Sequence, residues 1–353
     1  MLIINIHILP PRQQVLLNDM VGNKVFLIGP GYIGMEVLAE LLKEGYQVTA
    51  LVRSGEKAVE LEKKGATAIV GTLSDLVLIT NTTAKFDVVI HTASSDDKPS
   101  AEAVLEGISK RAEAGMSTIY IHTSGCSELT DDSHGAYVSE KIYQDDKPED
   151  IDALPDTAYH RDVDLAILKK RKELGTKAKI AIILPPLIYG VGKASGRLSI
   201  QLPTLAKFAR RHQFAGYVGA GESVWGHVHV TDLARGYLLI LHWMEQTSAE
   251  KILENPYFFA ENGEEHSWKE CAEEIGKAMY KWHRVKDPKP IEIPEGFYGE
   301  LFGDLTMTVL GENSRNRANR LRALGWKPVE KSSFESLHED DIPTLLEMLS
   351  KQK

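Results

Sequence analysis

The stretch Lys24-Val-Phe-Leu-Ile-Gly29-Pro-Gly31-Tyr-Ile-Gly34 decides the fold of this chain. An apolar run of strand length leads into Gly-x-Gly-x-x-Gly, and apolar residues then recur at helical spacing. In such a turn Gly29 permits the tight bend, Gly31 lets the backbone approach a ligand, and Gly34 lets the helix pack close to the strand. Because a helix N-terminus offers free N–H groups and a partial positive charge, the turn predicts a binding site for the diphosphate of a dinucleotide.

A second nucleotide signal lies at the end of the next predicted strand, residues 47–53. Proteins that bind NAD usually carry an acidic residue at this point for the ribose hydroxyls. This chain instead has Arg53 followed by Ser54. An arginine fork and a hydroxyl suit a 2′-phosphate, whereas a carboxylate suits a free 2′-OH. The pair therefore predicts NADP as the cofactor in preference to NAD.

The composition limits the classes of partner. With 41 basic and 50 acidic residues the formal net charge is −9, which argues against nucleic acid or an anionic membrane. Two cysteines, Cys126 and Cys271, make neither a disulfide framework nor a zinc site, so we expect no metal and a reducing compartment, the cytoplasm. Residues 1–22 form an N-terminal extension without the basic leader and cleavage site of a signal peptide. No later stretch is apolar for long enough to cross a membrane.

Strand and helix patterns alternate after Arg53, which indicates repeated βαβ units with right-handed crossovers. The predicted fold is therefore α/β, a doubly wound parallel sheet with helices on both faces. Residues 125–157 are polar and lack periodicity, as is typical of a long functional loop. Beyond Gly190 the alternation is lost, and a smaller C-terminal lobe is predicted to begin there. The predicted strands cover residues 68–73, 86–93, 116–121 and 180–184, and the predicted helices cover residues 56–64, 97–114 and 158–174.

Several short motifs occur in a fixed order along the chain: Gly31-Tyr-Ile-Gly34, Val89-Ile-His91-Thr-Ala93, Thr123-Ser124, Pro186-Leu-Ile-Tyr189-Gly190-Val-Gly192, Gly219-Ala-Gly221, Val228-His229-Val-Thr-Asp232-Leu-Ala234 and Leu324-Gly325-Trp326-Lys-Pro328. With these motifs the chain resembles the extended and atypical short-chain dehydrogenase/reductase superfamily, a Rossmann-fold group that includes nucleotide-sugar epimerases, dehydratases and dihydroflavonol-type reductases. Extended members usually show Gly-x-x-Gly-x-x-Gly, so the spacing that starts at Gly29 points to the atypical branch.

The resemblance implies a division of the chain and a set of cofactor contacts. Residues 23–190 would form the NADP-binding Rossmann domain, to which residues 226–262 would return. Residues 191–225 and 263–353 would form the substrate-binding lobe. The predicted helices at residues 97–114 and 158–174 resemble those through which relatives pair, which implies a homodimer. The cofactor contacts implied by position are Gly29, Gly31, Tyr32, Ile33, Gly34, Arg53, Ser54, Thr72, Leu73, His91, Thr92, Ala93, Thr123, Pro185, Leu187 and Ile188.

Active members of this superfamily combine a Ser or Thr that orients the substrate oxygen, a Tyr that donates the proton, and a Lys four residues after the Tyr. The lysine is needed because a phenol, with a reference pKa of about 10, is a poor acid or base at neutral pH unless a cation stabilises the phenolate. By this resemblance Ser124, which follows the fifth strand, takes the first role.

Two positions compete for the tyrosine. Tyr159 begins the helix that should carry it, but Val163 stands where the lysine is expected, which leaves His160 and Arg161 as cationic or polar substitutes. The string Tyr137-Val-Ser-Glu-Lys141 matches Tyr-x-x-x-Lys but lies in the polar loop, well before that helix. We favour Tyr159 by topology and keep Tyr137 with Lys141 as the second interpretation.

Three functions remain open at this point. The first is an NADP-dependent oxidoreductase acting on a carbonyl, alcohol or C=C bond of a small organic substrate. The second is a nucleotide-sugar epimerase or dehydratase, for which the lobe shows no obvious basic cluster to hold a diphosphate apart from Arg197, Arg210 and Arg211. The third is a redox sensor like the NmrA-like members, which bind NADP without turnover, and the missing lysine favours it.

Overall fold

A computed structural model describes residues 24–351 of the chain, so the predicted extension at residues 1–22 lies outside the described residues. The strands of the described chain are β1 Lys24–Ile28, β2 Gln47–Val52, β3 Thr67–Val70, β4 Val88–His91, β5 Ile119–Thr123, β6 Tyr143–Gln144, β7 Lys179–Leu184, β8 Leu187–Tyr189, β9 Gly216–Tyr217, β10 Val224–His229, β11 Tyr257–Phe259, β12 Glu265–Ser267, β13 Ile291–Glu292 and β14 Asn316–Arg317. Seven of them form the largest sheet, with the order β11-β7-β5-β4-β1-β2-β3, in which all neighbours pair in parallel.

The side chains of Val25 to Ile28 in β1 alternate between the two faces of this sheet, and all of them are buried. Both faces are therefore covered, as expected for a parallel sheet with helices on each side. The helices of the described residues are α1 Tyr32–Lys43, α2 Gly55–Lys63, α3 Leu76–Thr83, α4 Lys98–Glu113, α5 Pro148–Asp152, α6 Arg161–Leu174, α7 Gln201–His212, α8 Val230–Gln246, α9 Ala249–Ile252, α10 Trp268–Lys281, α11 Thr306–Leu310, α12 Asn319–Ala323, α13 Ser333–Ser336 and α14 Ile342–Lys351. Helix α1 packs against α8, and α4 packs against α3 and α6. The predicted α/β class with a parallel sheet is confirmed.

A second hydrophobic core lies beyond the end of the large sheet. It is built around α7 and α10, with Trp225 and the fully buried Trp268 packed edge to face at a centroid distance of 5.9 Å. A three-stranded sheet of order β12-β10-β8 connects this core to the large sheet through β7 and β8, which are separated by Pro185 and Pro186. Among the described residues, no helix combines the length and apolar character needed to cross a bilayer.

The structure differs from the sequence expectation in the segment before α6. Residues 125–157 are not an irregular loop throughout, since they contain a 3₁₀ turn at Cys126–Leu129, the short helix α5, and β6, which pairs with β14. Helix α6 begins at Arg161 rather than at residue 158, because His160 adopts a left-handed backbone conformation with φ of 71°. That conformation separates the preceding turn from α6.

Candidate functional site

The glycine turn between β1 and α1 leaves room on one side only. Gly29 has a φ of +90°, and a Cβ built on it would lie 2.4 Å from Cα of Ala93. A Cβ on Gly34 would lie 2.1 Å from the carbonyl oxygen of Gly29 and 2.5 Å from Oγ1 of Thr92. On Gly31 the nearest atom would be Nη1 of Arg197, at 3.9 Å. The first and third glycines therefore let the backbone pack, while the second faces open space at the N-terminus of α1.

This open space is one end of a cavity of about 990 Å³ along the carboxyl ends of the parallel strands. Ligands bind at this edge in doubly wound sheets, and the volume is at the upper end for ligand sites. Most of the predicted cofactor contacts belong to its wall: Gly29, Gly31, Tyr32, Ile33, Arg53, Ser54, Thr72, Leu73, Thr92, Ala93, Thr123, Pro185 and Ile188.

Three of the predicted contacts are not part of the wall. Gly34 is covered by the turn itself, and Leu187 is fully buried in the second core. His91 is also fully buried, with Nε2 3.1 Å from the hydroxyl of Ser100. Burial lowers the pKa of His91 to about 4, so this imidazole is neutral at physiological pH. The side chains of His91 and Leu187 are therefore buried away from the cavity, and contact of these three residues with the cofactor stays a prediction.

Arg53, Ser54 and Lys57 line the wall where β2 ends. The Ser54 hydroxyl accepts a hydrogen bond from the backbone N–H of Lys57 and so caps α2. Arg53 is exposed at the rim. This end of the cavity is therefore basic and lies beside a helix N-terminus, and both features favour a phosphate group.

A hydrogen-bonded chain of three side chains lines another part of the wall. Ser127 Oγ lies 2.7 Å from Nε2 of His160, and Nδ1 of His160 lies 2.5 Å from Oδ1 of Asp96, to which it donates. His160 and Ser127 are buried, whereas half of the Asp96 side chain is exposed. Asp96 follows β4, Ser127 follows β5 and His160 precedes α6, so the sheet topology brings the three residues together. This serine–histidine–aspartate order is one that moves protons in many enzymes.

Tyr159 lies in the wall with its ring 4.1 Å from that of His160, centroid to centroid. Burial and, to a smaller extent, the nearby carboxylate of Asp96 raise the pKa of Tyr159. Val163, four residues on, is fully buried in the core. The phenol is thus held neutral, without the cation that would favour phenolate.

The other predicted catalytic residues lie in different surroundings. Ser124 belongs to the wall, but its buried side chain lies beside Asp164. Burial raises the pKa of the Asp164 carboxyl well above its usual range, and Ser124 counteracts only part of this rise. Tyr137 is about half exposed and is not part of the cavity wall, and Lys141 pairs with Asp150 at 2.9 Å. The structure therefore separates the Tyr137–Lys141 string from the cavity.

Arg161 also departs from the expected place. Its guanidinium is buried, donates to Glu128 at 3.1 Å and donates to the backbone oxygen of Asp152. It forms an internal ion pair with Glu128, which leaves His160 as the polar residue beside Tyr159. Asp96 and Ser127 were missed by sequence reasoning; they lie in the segments after β4 and β5, which pair as neighbours in the sheet.

The remaining wall is largely apolar. It is formed by side chains from α7, α11, β10 and the segments before them, and its residues include Leu198, Ile200, Trp225, Phe302, Leu305 and Val309. A ligand reaching this side of the cavity would be held mainly by apolar contact.

The sheet order, the glycine turn and the cavity define a Rossmann-type fold with a cavity where such folds bind dinucleotides. In agreement, residues 29–156 match a family model described as NAD(P)H-binding. This match is consistent with the resemblance to the extended short-chain dehydrogenase/reductase superfamily, and the structural neighbours share the fold of this chain.

Individual relatives are distant. An oxidase of Acremonium sp is 29% identical over 333 residues, which cover 87% of this chain and 93% of the relative. Among solved structures, UDP-glucose 4-epimerase of Thermotoga maritima aligns with a TM-score of 0.62 at 17% identity, over 94% of this chain and 100% of that chain. Yeast methylglyoxal/isovaleraldehyde reductase, complexed with NADPH, aligns with a TM-score of 0.62 at 16% identity, over 93% of this chain and 99% of that chain. These structures share the fold of this chain.

Proposed function

We propose that this protein is an NADP-dependent oxidoreductase that acts on a carbonyl or alcohol group, or on a C=C bond, of a small, largely apolar organic molecule. The observation that carries the proposal is the continuity of one cavity, which joins the glycine turn and Arg53 to the Ser127–His160–Asp96 chain. Such continuity would place a dinucleotide's phosphates at one end and its reactive ring near the proton-carrying side chains at the other. The apolar wall supports the choice of substrate class.

The side chains provide a route for one proton. NADPH, when bound, supplies the hydride that reduces the substrate carbon. Ser127 is placed to donate its hydroxyl proton to the substrate oxygen and to take a replacement from Nε2 of His160. Asp96 accepts a hydrogen bond from Nδ1 of His160 and so orients the ring with Nε2 towards Ser127. In the direction of alcohol oxidation the same groups accept the proton, so the balance is one hydride and one proton in either direction.

The proton route is tested with three variants of the full chain. NADPH oxidation is followed with methylglyoxal and isovaleraldehyde, the substrates in the name of the yeast neighbour, and then with larger apolar aldehydes and ketones. His160→Asn should lower kcat by ~10²–10⁴-fold, the usual contribution of general acid catalysis, and leave the Kd for NADPH within about threefold. Tyr159→Phe tests the neighbouring tyrosine, and Tyr137→Phe is the matched control, since its ring lies outside the cavity. Loss of turnover in Tyr137→Phe with an active His160→Asn would refute this assignment.

A second function, the redox sensor that binds NADP without turnover, is favoured by one observation. Val163 is fully buried at the position where the superfamily's lysine would stand. A sensor would bind NADP⁺ and NADPH with similar affinity and oxidise NADPH with none of the carbonyl compounds. Turnover that depends on His160 would exclude it.

The epimerase alternative gains less support. Arg197 lies beside Gly31, where it would face the cofactor's own phosphates, and Arg210 and Arg211 are not part of the cavity wall. Arg211 instead pairs with Glu300 at 3.0 Å. The expected homodimer through α4 and α6 stays a prediction, and sedimentation analysis of the purified chain would test it.

A further inference from the structure

The antiparallel ladder between β10 and β12 brings together three side chains that the cofactor cavity does not use. Its register pairs Trp225 with His266 and Gly226 with Glu265. Continuing the register by one residue sets Glu264 opposite His227. Because opposite residues and alternate residues of a strand share a face, His227, Glu264 and His266 project to the same side of the ladder.

The potential ligand atoms of these three residues all lie within 4.8 Å of one another. A tetrahedral zinc ion with bonds of about 2.1 Å holds its ligand atoms roughly 3.4 Å apart, so small side-chain rotations would close the cluster onto an ion. The exposed fractions of the side chains are 21% for His266 and 27% for Glu264, so an ion could reach the cluster from solvent. Histidine nitrogens with one carboxylate oxygen are a donor set that zinc prefers.

A second observation points independently to a ligand at this place. His227 is fully buried, and neither of its ring nitrogens has a hydrogen-bond partner among residues 24–351. Buried polar side-chain atoms almost always have a partner, so an imidazole with two unpaired nitrogens needs an explanation.

The surroundings already orient the other two ligands. Oε2 of Glu264 accepts hydrogen bonds from Nδ2 of Asn262 at 3.1 Å and from the backbone N–H of Ser333 at 2.9 Å. The ring of His266 stacks on Phe334 at a centroid distance of 3.9 Å. Outer contacts of this kind fix the orientation of metal ligands in known sites.

We propose that His227, Glu264 and His266 form a site for one zinc-type divalent ion, with the fourth position open to water on the exposed side. The ion would join β12 to β10, the strand that carries Trp225 to the cavity wall. The proposal does not depend on the function proposed above, because none of the three ligands belongs to that wall.

The test uses the purified full chain, stripped with a chelator and titrated with Zn²⁺ by calorimetry, while thermal unfolding is followed in parallel. We expect one Zn²⁺ per chain and a higher Tm with the ion. His266→Ala, a partly exposed position, should raise the Kd for Zn²⁺ at least tenfold and abolish the rise in Tm. His338→Ala is the matched control, because it removes another partly exposed histidine, paired with Glu274 at 2.7 Å, and should bind Zn²⁺ like the parent chain.

Glu264→Gln gives an additional variant, since glutamine can still accept the bonds from Asn262 and Ser333 but lacks the charge. It should also bind Zn²⁺ more weakly. Absence of Zn²⁺ binding by the folded parent chain would overturn the proposal. Undiminished binding in His266→Ala, or equal loss in His338→Ala, would place the ion elsewhere and overturn it as well.

Discussion

The glycine turn gives the sharpest prediction, because alanine at two of its positions should have different effects. One substitution should reduce stability, and the other should weaken cofactor binding. In Gly34→Ala the new methyl group would lie 2.1 Å from the backbone carbonyl oxygen of Gly29, whereas ordinary contact begins near 3.4 Å. In Gly31→Ala the nearest atom would be 3.9 Å away, so the folded chain accommodates the methyl group. Gly34→Ala should therefore affect the fold, and Gly31→Ala should affect the ligand.

The magnitude for Gly34→Ala follows from the clash. The obstructing atom is backbone and cannot rotate away, so the overpacking cost should be near the upper part of its usual range, ~3 kcal/mol. Alanine recovers at most about 1 kcal/mol of helix propensity. The net loss in the free energy of unfolding is then ~2 kcal/mol. For Gly31→Ala the expected change is within about 0.5 kcal/mol, while the Kd for NADPH should rise more than tenfold, or about 1.4 kcal/mol, because the methyl group occupies space expected for the diphosphate.

Urea unfolding followed by circular dichroism measures the first quantity, and calorimetric titration with NADPH measures the second. The two variants serve as controls for each other, since they lie in the same turn and add the same atoms. Equal destabilisation of both variants, or an unchanged Kd for NADPH in Gly31→Ala, would refute the assignment of this turn.

Three further predictions concern single side chains. Arg53→Ala should raise the Kd for NADPH by ~10–100-fold, because a hydrogen bond between charged groups usually contributes that much to affinity. The Kd for NADH should stay nearly unchanged, and calorimetric titrations with both cofactors would measure the difference. His91 has its pKa lowered to about 4 by burial, so below pH ~6.5 the unfolded chain binds a proton that the folded chain does not. Stability from this group is complete above pH ~6.5 and is lost as the pH falls towards 4. In His91→Gln the slope of unfolding free energy against pH in that window should decrease by up to ~1.4 kcal/mol per pH unit, measured by urea unfolding at several pH values. His160→Gly should be more stable than His160→Ala by ~1 kcal/mol, because only glycine adopts a φ of 71° without strain, and equal stability would contradict this.

Local sequence patterns predicted the large sheet well, because its strands are short apolar runs between helices with regular apolar spacing. Helix α3 was missed, since its sequence ends in Asn-Thr-Thr and has weak helical preference. The start of α6 was placed three residues too early, because the left-handed His160 depends on tertiary contacts with Ser127 and Asp96. Local propensity carries no information about such contacts.

The candidate site divides in the same way. The glycine turn is a local motif, so its residues could be named from the sequence, and the cavity includes most of them. The Ser127–His160–Asp96 chain and the His227–Glu264–His266 cluster are assembled from segments far apart in the chain. Each becomes visible only when the strand order and register are known.

Tyr159 and His160 are the two candidate proton donors next to the cavity, and they are alternatives rather than partners. A tyrosine in this position acts well when a cation lowers its pKa, but here burial and the Asp96 carboxylate raise the pKa of Tyr159, and Val163 offers no charge. The same Asp96 carboxylate accepts a hydrogen bond from Nδ1 of His160 at 2.5 Å, and Nε2 of that ring lies 2.7 Å from the Ser127 hydroxyl. We therefore propose that the proton passes through His160 and Ser127, and that Tyr159 orients the substrate as a neutral hydrogen-bond donor.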